Sequence, residues 1–138
     1  MVTRKPLDEC STIGRLFEEL IRAPLIPFPL ANAPLDAPVE RGVYVIYDPK
    51  GVPQHVGATP KARNGIRQGL ENHLWGLSAF TRACFAHDGS KLRNGYQFRY
   101  LIVTEPRERA LLECYAIGHL CPSHVGQRTN SSARRQSA

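Results

Sequence analysis

The chain has 138 residues, 42% of them hydrophobic and 22% charged, which is typical of one globular domain able to bury its own core. It has no uncharged apolar run long enough to span a membrane, and its N-terminus lacks the apolar middle of a signal peptide, so we expect a cytoplasmic protein without membrane partners. The formal net charge of +6 is uneven: residues 1–60 carry six Lys/Arg and seven Asp/Glu, whereas residues 61–138 carry twelve and five. The basic half suggests nucleic acid as a partner, and a basic surface without such a partner is an equal alternative.

The N-terminal part of the chain predicts a helix followed by an extended connector. Apolar residues in 11–23 recur with the spacing of an amphipathic helix. Residues 24–38 contain five prolines and are too apolar to stay in solvent, so they should lie over the rest of the protein. We therefore expect residues 1–40 to form an arm that packs on a domain spanning 41–126.

Residues 42–57 predict a β-hairpin. GVYVIY (42–47) is rich in β-branched and aromatic residues, DPKG (48–51) is a strong turn, and 52–57 would return as the second strand. A two-residue loop would place Tyr44 directly opposite His55. A bulge at Gly51 would shift the pairing by one residue and turn His55 to the other face, and the sequence leaves this choice open.

The rest of the chain alternates helices, loops and one further strand. Helix 66–77 would place Ile66, Leu70, His73 and Leu77 on one face. The other predicted segments are a polar loop at 59–65, a short helix within 78–86, a basic loop at 87–95, a strand at 96–104, a helix at 107–120 behind Pro106, and a disordered basic tail at 127–138. The fold class that follows is α+β, a small three-stranded antiparallel sheet flanked by helices.

Glu113 is the most informative acidic residue. It shares a predicted helical face with Ala116 and Ile117, where a carboxylate needs a cation or good hydrogen bonds. A divalent metal and an arginine such as Arg109 are equally good candidates for that cation.

Several other side chains are ambiguous when taken one at a time. Tyr44 on a strand is most often a packing residue, and His73 on an apolar helix face is most often a core histidine. Lys61, Arg63 and Arg67 lie near a helix N-terminus, a position that suits phosphate but also suits a solvated loop.

A cluster of cysteines and histidines raises the question of zinc. Cys114, His119, Cys121 and His124 have the spacing C-x4-H-x-C-x2-H, which matches no usual zinc knuckle. In a cytoplasmic chain these cysteines would be reduced, and Cys114 would simply pack within its helix. A zinc-stabilised interaction domain is therefore a weaker alternative than a protein that acts on nucleic acid or binds it.

Taken in order, these features resemble the GIY-YIG nuclease family over residues 41–125. That family carries Gly-Ile/Val-Tyr on one strand and Tyr-Ile/Val-Gly on its partner, and this chain has Gly42-Val43-Tyr44 and His55-Val56-Gly57. The family continues with a helix bearing an arginine and a histidine, a strand, a helix with one glutamate, and a terminal segment containing proline. Here these are helix 66–77 with Arg67 and His73, strand 96–104, Glu113, and the segment 121–124.

The resemblance implies a metal-dependent endonuclease that hydrolyses phosphodiester bonds in DNA with Mg²⁺ or Mn²⁺. On this chain Glu113 would hold the metal, Tyr44 would help to deprotonate the attacking water, Arg67 would steady the phosphate, and His55 and His73 would complete the catalytic group. Hydrolysis of this kind needs a Lewis acid, a placed nucleophile and a cationic clamp. Contacts to DNA would come from basic residues in the loops and the short helix, namely Lys61, Arg63, Arg82, Lys91 and Arg93. A homodimer is left open.

The chain departs from the family pattern at three positions. His55 stands where the second triplet has tyrosine, and Gly69 stands where the family has arginine, four residues before the histidine. His124 or Val125 occupies the approximate place of the terminal asparagine. These departures support an alternative, in which the fold persists as a catalytically impaired module that binds nucleic acid through its phosphates.

Overall fold

The computed structural model describes residues 6–59 and 64–125, with the side chains of Pro6 and Leu7 outside that description. The predicted tail at 127–138, and residues 60–63 of the predicted polar loop, lie outside the described residues. The elements in chain order are α1 (Pro6–Arg22), β1 (Ile26–Pro27), β2 (Gly42–Tyr47), β3 (Pro53–Ala58), α2 (Gly65–Leu74), α3 (Ala79–Phe85), a 3₁₀ helix (Gly89–Arg93), β4 (Gln97–Ile102) and α4 (Pro106–Leu120).

The four strands form one antiparallel sheet in the order β1-β4-β2-β3, which places β2 in the interior of the sheet. Every residue of β2 is buried, because the sheet is covered on both faces. On one face Tyr44 and Ile46 join the core built with α2 and α3. On the other face Val43 and Val45 join the core built with α1 and α4. The molecule is thus a sandwich of helices around a sheet, and the predicted α+β class is confirmed.

The sheet has one strand more than predicted. The additional strand is β1, within the proline-rich connector, where Ile26 pairs with Phe98 and Pro27 with Gln97. A proline can occupy this strand because β1 lies at the edge of the sheet, where its missing N–H breaks no ladder. The Phe28 N–H then donates to the Tyr96 carbonyl at 3.1 Å, which holds the connector against the domain.

The hairpin register matches neither of the two alternatives that the sequence left open, because the register shifts between Ile46 and Tyr47 and not at Gly51. Tyr44 pairs with Gly57 and Ile46 with His55, after a bulge that makes Tyr47 pair with Pro53. The pairing is shifted by two residues from the Tyr44–His55 register, so Tyr44 and His55 share a face but lie diagonally. The turn is held by Asp48, whose Oδ1 accepts from the backbone N–H groups of Lys50 and Val52 at 2.8 and 2.9 Å.

Two predicted helices have different bounds in the structure. The first begins at Pro6 instead of residue 11, and packs on α4. The second ends at Leu74, because the chain turns at Gly76 with a φ of +75°. Leu77, predicted on the buried helical face, therefore lies outside α2 and is 66% exposed.

Within residues 6–59 and 64–125, no helix is both long and apolar enough to cross a membrane.

Candidate active site

Tyr44 lies at the centre of the site, in a slot formed by two glycines. Its side chain is buried beneath α2, with 4% exposed. A Cβ at Gly57, its partner on β3, would lie 2.5 Å from Tyr44 Oη, and a Cβ at Gly69 would lie 3.1 Å from Tyr44 Cε2. The glycine of the second triplet therefore makes room for the tyrosine ring of the first. Gly69, interpreted from the sequence as a lost arginine, has a packing role of its own.

The Tyr44 hydroxyl is hydrogen-bonded to a buried histidine from α2. Tyr44 Oη and His73 Nε2 are 2.7 Å apart, and His73 Nδ1 lies 2.6 Å from Ser78 Oγ at the start of α3. Burial is the main cause that raises the pKa of Tyr44 above its ordinary value, and the Glu113 carboxylate raises it further. Burial, and then the neighbouring His124, lowers the pKa of His73 to about 3. Tyrosine and histidine are therefore a neutral pair near neutral pH.

His55 extends this pair into a cluster of aromatic rings. Its ring centroid is 4.8 Å from that of His73 and 6.3 Å from that of Tyr44, and the ring stacks on Phe80 at 5.0 Å. His55 Nδ1 lies 3.2 Å from His124 Nδ1. Burial, then His73 and His124, holds the pKa of His55 well below its ordinary value. The structure thus brings the substituted second-triplet residue to the same site as Tyr44.

His124 reaches the cluster because the segment after α4 pairs with β3. Cys121 ends α4 in a left-handed conformation, with φ of 47°, and turns the chain back across the sheet. The N–H groups of Ser123 and His124 then donate to the carbonyls of Pro53 and Gln54 at 3.2 and 2.9 Å. Burial lowers the pKa of His124, and its Nε2 is buried with no hydrogen-bond partner in the described part of the chain.

Glu113 projects from α4 within electrostatic reach of Tyr44. Its carboxylate is half-buried, and that burial raises its pKa. The suggested ion pair with Arg109 is absent, because the Arg109 guanidinium donates to the carbonyls of Val103 and Thr104 at 3.0 and 3.1 Å. Over residues 6–59 and 64–125, no hydrogen bond or ion pair compensates the Glu113 charge.

Arg67 lies on the other side of α2 from the tyrosine. Its Nε donates to the Ala37 carbonyl of the connector at 2.8 Å. Positions 67 and 69 are about 160° apart around a helix, so a helix that presents Gly69 to Tyr44 directs Arg67 away from it. A catalytic role for Arg67 stays a prediction, as do the roles of Tyr44, His55, His73 and Glu113.

The basic residues expected to contact DNA fall into three situations. Lys61 and Arg63 lie outside the described residues. Arg82 is exposed on α3, and Lys91 Nζ lies 6.0 Å from the centroid of the Phe85 ring. Arg93 donates to the carbonyls of Pro29 and Leu30 at 2.8 and 3.2 Å, which ties the 3₁₀ helix to the connector.

Ser78 and Thr81 belong to the site although the sequence did not single them out. Ser78 Oγ caps α3 by accepting from the Thr81 N–H at 3.1 Å, and a serine before a short helix is a readable capping signal. Its second contact, to His73 Nδ1, depends on how α2 and α3 pack and leaves no mark in the sequence.

The described residues hold no preformed multi-ligand metal site. Within 6–59 and 64–125, no group of three or more His, Cys, Asp or Glu side chains could hold a metal ion. The zinc interpretation based on Cys114, His119, Cys121 and His124 is therefore wrong for the arrangement seen. Cys114 and Cys121 are exposed free thiols.

No family model matches the chain, and no curated protein matches it. Among solved structures it is similar to the GIY-YIG N-terminal endonuclease domain of UvrC from Thermotoga maritima bound to its catalytic divalent cation, magnesium. That similarity has 23% identity, covers 65% of this chain and 89% of that chain, and has a TM-score of 0.47. A point-mutant form of the same domain is 18% identical over 82% of this chain and 97% of that chain, with a TM-score of 0.47.

Proposed function

We propose that this chain is a metal-dependent endonuclease that hydrolyses phosphodiester bonds in DNA. The observation that carries the proposal is a buried tyrosine–histidine pair, Tyr44 and His73, beside a carboxylate, Glu113, whose charge no described residue compensates. Metal-assisted hydrolysis of a phosphodiester uses a group that accepts a proton from water and, beside it, a carboxylate that is free to hold a metal ion. The two triplets, which resemble those of GIY-YIG nucleases, support the same activity.

The residues present fit a magnesium ion held largely by water and substrate. Mg²⁺ is commonly bound by one or two carboxylates together with waters and phosphate oxygens, so the lack of a multi-ligand cluster is no obstacle. Glu113 would hold the ion, because it is half-buried and has no counter-charge among the described side chains. When bound, the ion supplies a Lewis acid for the phosphate.

The protein's own residues would handle the proton and the substrate. Tyr44 would accept a proton from the attacking water, and His73 would orient the Tyr44 hydroxyl. His55, in contact with His73, would shield that pair from bulk solvent. To clamp the phosphate, Arg67 would have to leave the Ala37 carbonyl. The exposed Arg82 and Lys91 would bind the DNA backbone.

A cleavage assay tests the proposal directly. Supercoiled plasmid and single-stranded DNA are incubated with the protein and Mg²⁺ or Mn²⁺, beside the Glu113→Gln variant. We expect cleavage by the wild type and a loss of about a hundredfold or more in the variant, since the metal would lose its only protein carboxylate. Glu108→Gln, on the same helix, is the matched control and should cut normally. Equal activity of all three proteins, or of none, would contradict the proposal.

A second candidate function is binding of nucleic acid without catalysis. The observation that favours it is that, among the described residues, no arginine is hydrogen-bonded or ion-paired to Tyr44 or Glu113, and Arg67 is held on the connector. Salt-sensitive DNA binding without cleavage would support this alternative. A cytoplasmic location, expected from the sequence, stays a prediction, and a homodimer stays open.

A further inference from the structure

A chain of hydrogen-bonded side chains runs from Tyr44 into the N-terminus of α3. Tyr44 Oη contacts His73 Nε2 at 2.7 Å, His73 Nδ1 contacts Ser78 Oγ at 2.6 Å, and Ser78 Oγ lies 3.1 Å from Thr81 Oγ1. Thr81 Oγ1 also donates to the Ser78 carbonyl at 3.0 Å, and Thr81 N–H donates to Ser78 Oγ at 3.1 Å. Tyr44, His73 and Thr81 are buried, so water does not compete freely for these hydrogen bonds.

The hydrogens shared within this hydrogen-bond network can be assigned by counting donors and acceptors. The Thr81 hydroxyl has one hydrogen, and the Ser78 carbonyl takes it. The Ser78 hydroxyl can then donate to Thr81 Oγ1, which leaves Ser78 Oγ to accept from His73 Nδ1–H. A neutral imidazole protonated on Nδ1 has its lone pair on Nε2, where it accepts the hydrogen of the Tyr44 hydroxyl.

The opposite tautomer leaves one hydrogen without an acceptor. If Ser78 donated to His73 Nδ1, then His73 Nε2–H would donate to Tyr44 Oη. The buried Tyr44 hydroxyl would then need another acceptor, and His73 is its one hydrogen-bond partner among residues 6–59 and 64–125. A buried hydroxyl without a partner is unfavourable, so the count selects the Nδ1–H tautomer.

We propose that Ser78 is a positioning residue, which holds His73 with its proton on Nδ1 so that Nε2 receives the proton of Tyr44 during hydrolysis. This role rests on the proposed nuclease function. One proton leaves the attacking water for Tyr44 Oη while the phenolic proton of Tyr44 passes to His73 Nε2. The water becomes the attacking hydroxide, Tyr44 is neutral before and after, and His73 becomes the cation. His73 later returns its Nε2 proton to Tyr44 as the Tyr44 hydroxyl passes its own proton to solvent, and the leaving oxygen takes a proton from water.

This relay removes a difficulty for Tyr44 as a base. The pKa of Tyr44 is raised, so Tyr44 is protonated in the resting protein. The relay works from this protonated form, because Tyr44 gives up its phenolic proton as it takes one from the water. Burial disfavours the imidazolium form of His73, but the phosphate charge of bound DNA would favour it. The Nδ1–H bond to Ser78 is kept in both protonation states of the ring, so the ring need not turn.

Nuclear magnetic resonance of the histidine ring nitrogens tests the tautomer without any cleavage. Long-range proton–nitrogen correlation distinguishes Nδ1–H from Nε2–H, and a His73→Gln variant assigns the signal among the five histidines. We expect His73 to be the Nδ1–H tautomer in the wild type. Thr81→Val frees the Ser78 hydroxyl to donate to His73, so it should raise the Nε2–H population. An Nε2–H ring in the wild type would overturn the proposal.

Cleavage kinetics then test the positioning role. Ser78→Ala should lower kcat by about 10- to 100-fold with KM unchanged, as supporting partners of catalytic groups commonly do. Ser78→Thr keeps the hydroxyl and should restore most of the rate. Asp88→Ala removes the cap of the 3₁₀ helix without touching His73, and should leave both the tautomer and kcat unchanged.

The two proposals can fail separately. A wild type that cuts DNA, with Ser78→Ala cutting equally fast, overturns the relay and keeps the nuclease. A wild type that never cuts, with His73 protonated on Nδ1 and shifted in Thr81→Val, overturns the nuclease while Ser78 keeps its role in fixing the ring.

Discussion

At the scale of single residues, the three clustered histidines make the folded protein sensitive to acid. The His55 ring lies against those of His73 and His124, all three histidines lie against Phe80, and the pKa of each is lowered, chiefly by burial. The unfolded chain would titrate near the ordinary value of 6.5. Below that pH the unfolded state binds protons that the folded state does not, so stability falls as the pH decreases toward 3.

We therefore expect the urea midpoint to be clearly lower at about pH 5 than at about pH 7, with each histidine contributing up to about 1.4 kcal/mol per pH unit. His73→Gln should flatten this dependence, because one of the protons is no longer taken up on unfolding. Midpoints that rise toward acid would contradict the histidine assignment.

Gly69 and Gly118 provide a matched pair of helical glycines. A Cβ at Gly69 would approach Thr59 Cγ2 to 2.9 Å and Tyr44 Cε2 to 3.1 Å, whereas a Cβ at Gly118 meets nothing within 4 Å. We expect Gly118→Ala to stabilise the protein by about 1 kcal/mol, since alanine is the better helix former. Gly69→Ala should gain nothing or lose about 1–3 kcal/mol through overpacking, as measured by chemical denaturation. Equal gains at both positions would show that the Tyr44 slot is loose.

At the scale of elements, the sequence predicted the helices and longer strands well because their signals are local. Pro106 marked the start of α4, and β-branched and aromatic residues located β2. The strand β1 was missed because a two-residue edge strand containing Pro27 has no local signal of its own. The end of α2 was placed too late because Leu77 continues the apolar spacing, whereas the turn at Gly76 packs against the backbone of His87.

The candidate site was predictable only in part, for the same reason. Tyr44, His55, His73 and Glu113 were selected together, through the order of their motifs, and the structure places the first three in one ring cluster with Glu113 in electrostatic reach. Their mutual contacts depend on the hairpin register and on the packing of α2, neither of which the local sequence determines.

The hydrogen bond from Arg67 of α2 to the Ala37 carbonyl of the connector leads to a prediction about Arg67. Arg67 and Arg93 each donate to connector carbonyls, so replacing either with alanine should cost about 1 kcal/mol of stability. Under the proposed function we expect only Arg67→Ala to lower kcat as well, by about tenfold or more, because only Arg67 would clamp the reacting phosphate. Steady-state cleavage kinetics at a temperature where both variants are folded would show this. Equal kcat values would assign Arg67 to the connector alone.

At the scale of the whole molecule, one exposed aromatic residue provides a probe for the proposed binding of DNA. Trp75 is the sole tryptophan, is 60% exposed, and lies two residues beyond His73. DNA bound at the candidate site should therefore change its fluorescence, and Glu113→Gln can be used so that the DNA stays intact.

We expect the logarithm of the binding constant to fall linearly with the logarithm of salt concentration, with a slope of about −0.9 for each duplex phosphate contacted. Arg82→Ala and Lys91→Ala should each reduce that slope by about 1 and leave the maximum fluorescence change intact. Ser90→Ala, beside Lys91 but without a charge, is the control. A slope that does not change in any variant would place the DNA on another surface.

The pairing of the segment after α4 with β3 has a consequence for how the protein is made. The ring cluster needs His55 from the hairpin and His124 from beyond α4, joined through backbone hydrogen bonds to Pro53 and Gln54. During synthesis, Tyr44 and His73 leave the ribosome well before Glu113 and His124. The ring cluster therefore cannot close until residues 123 and 124 are available to pair with β3.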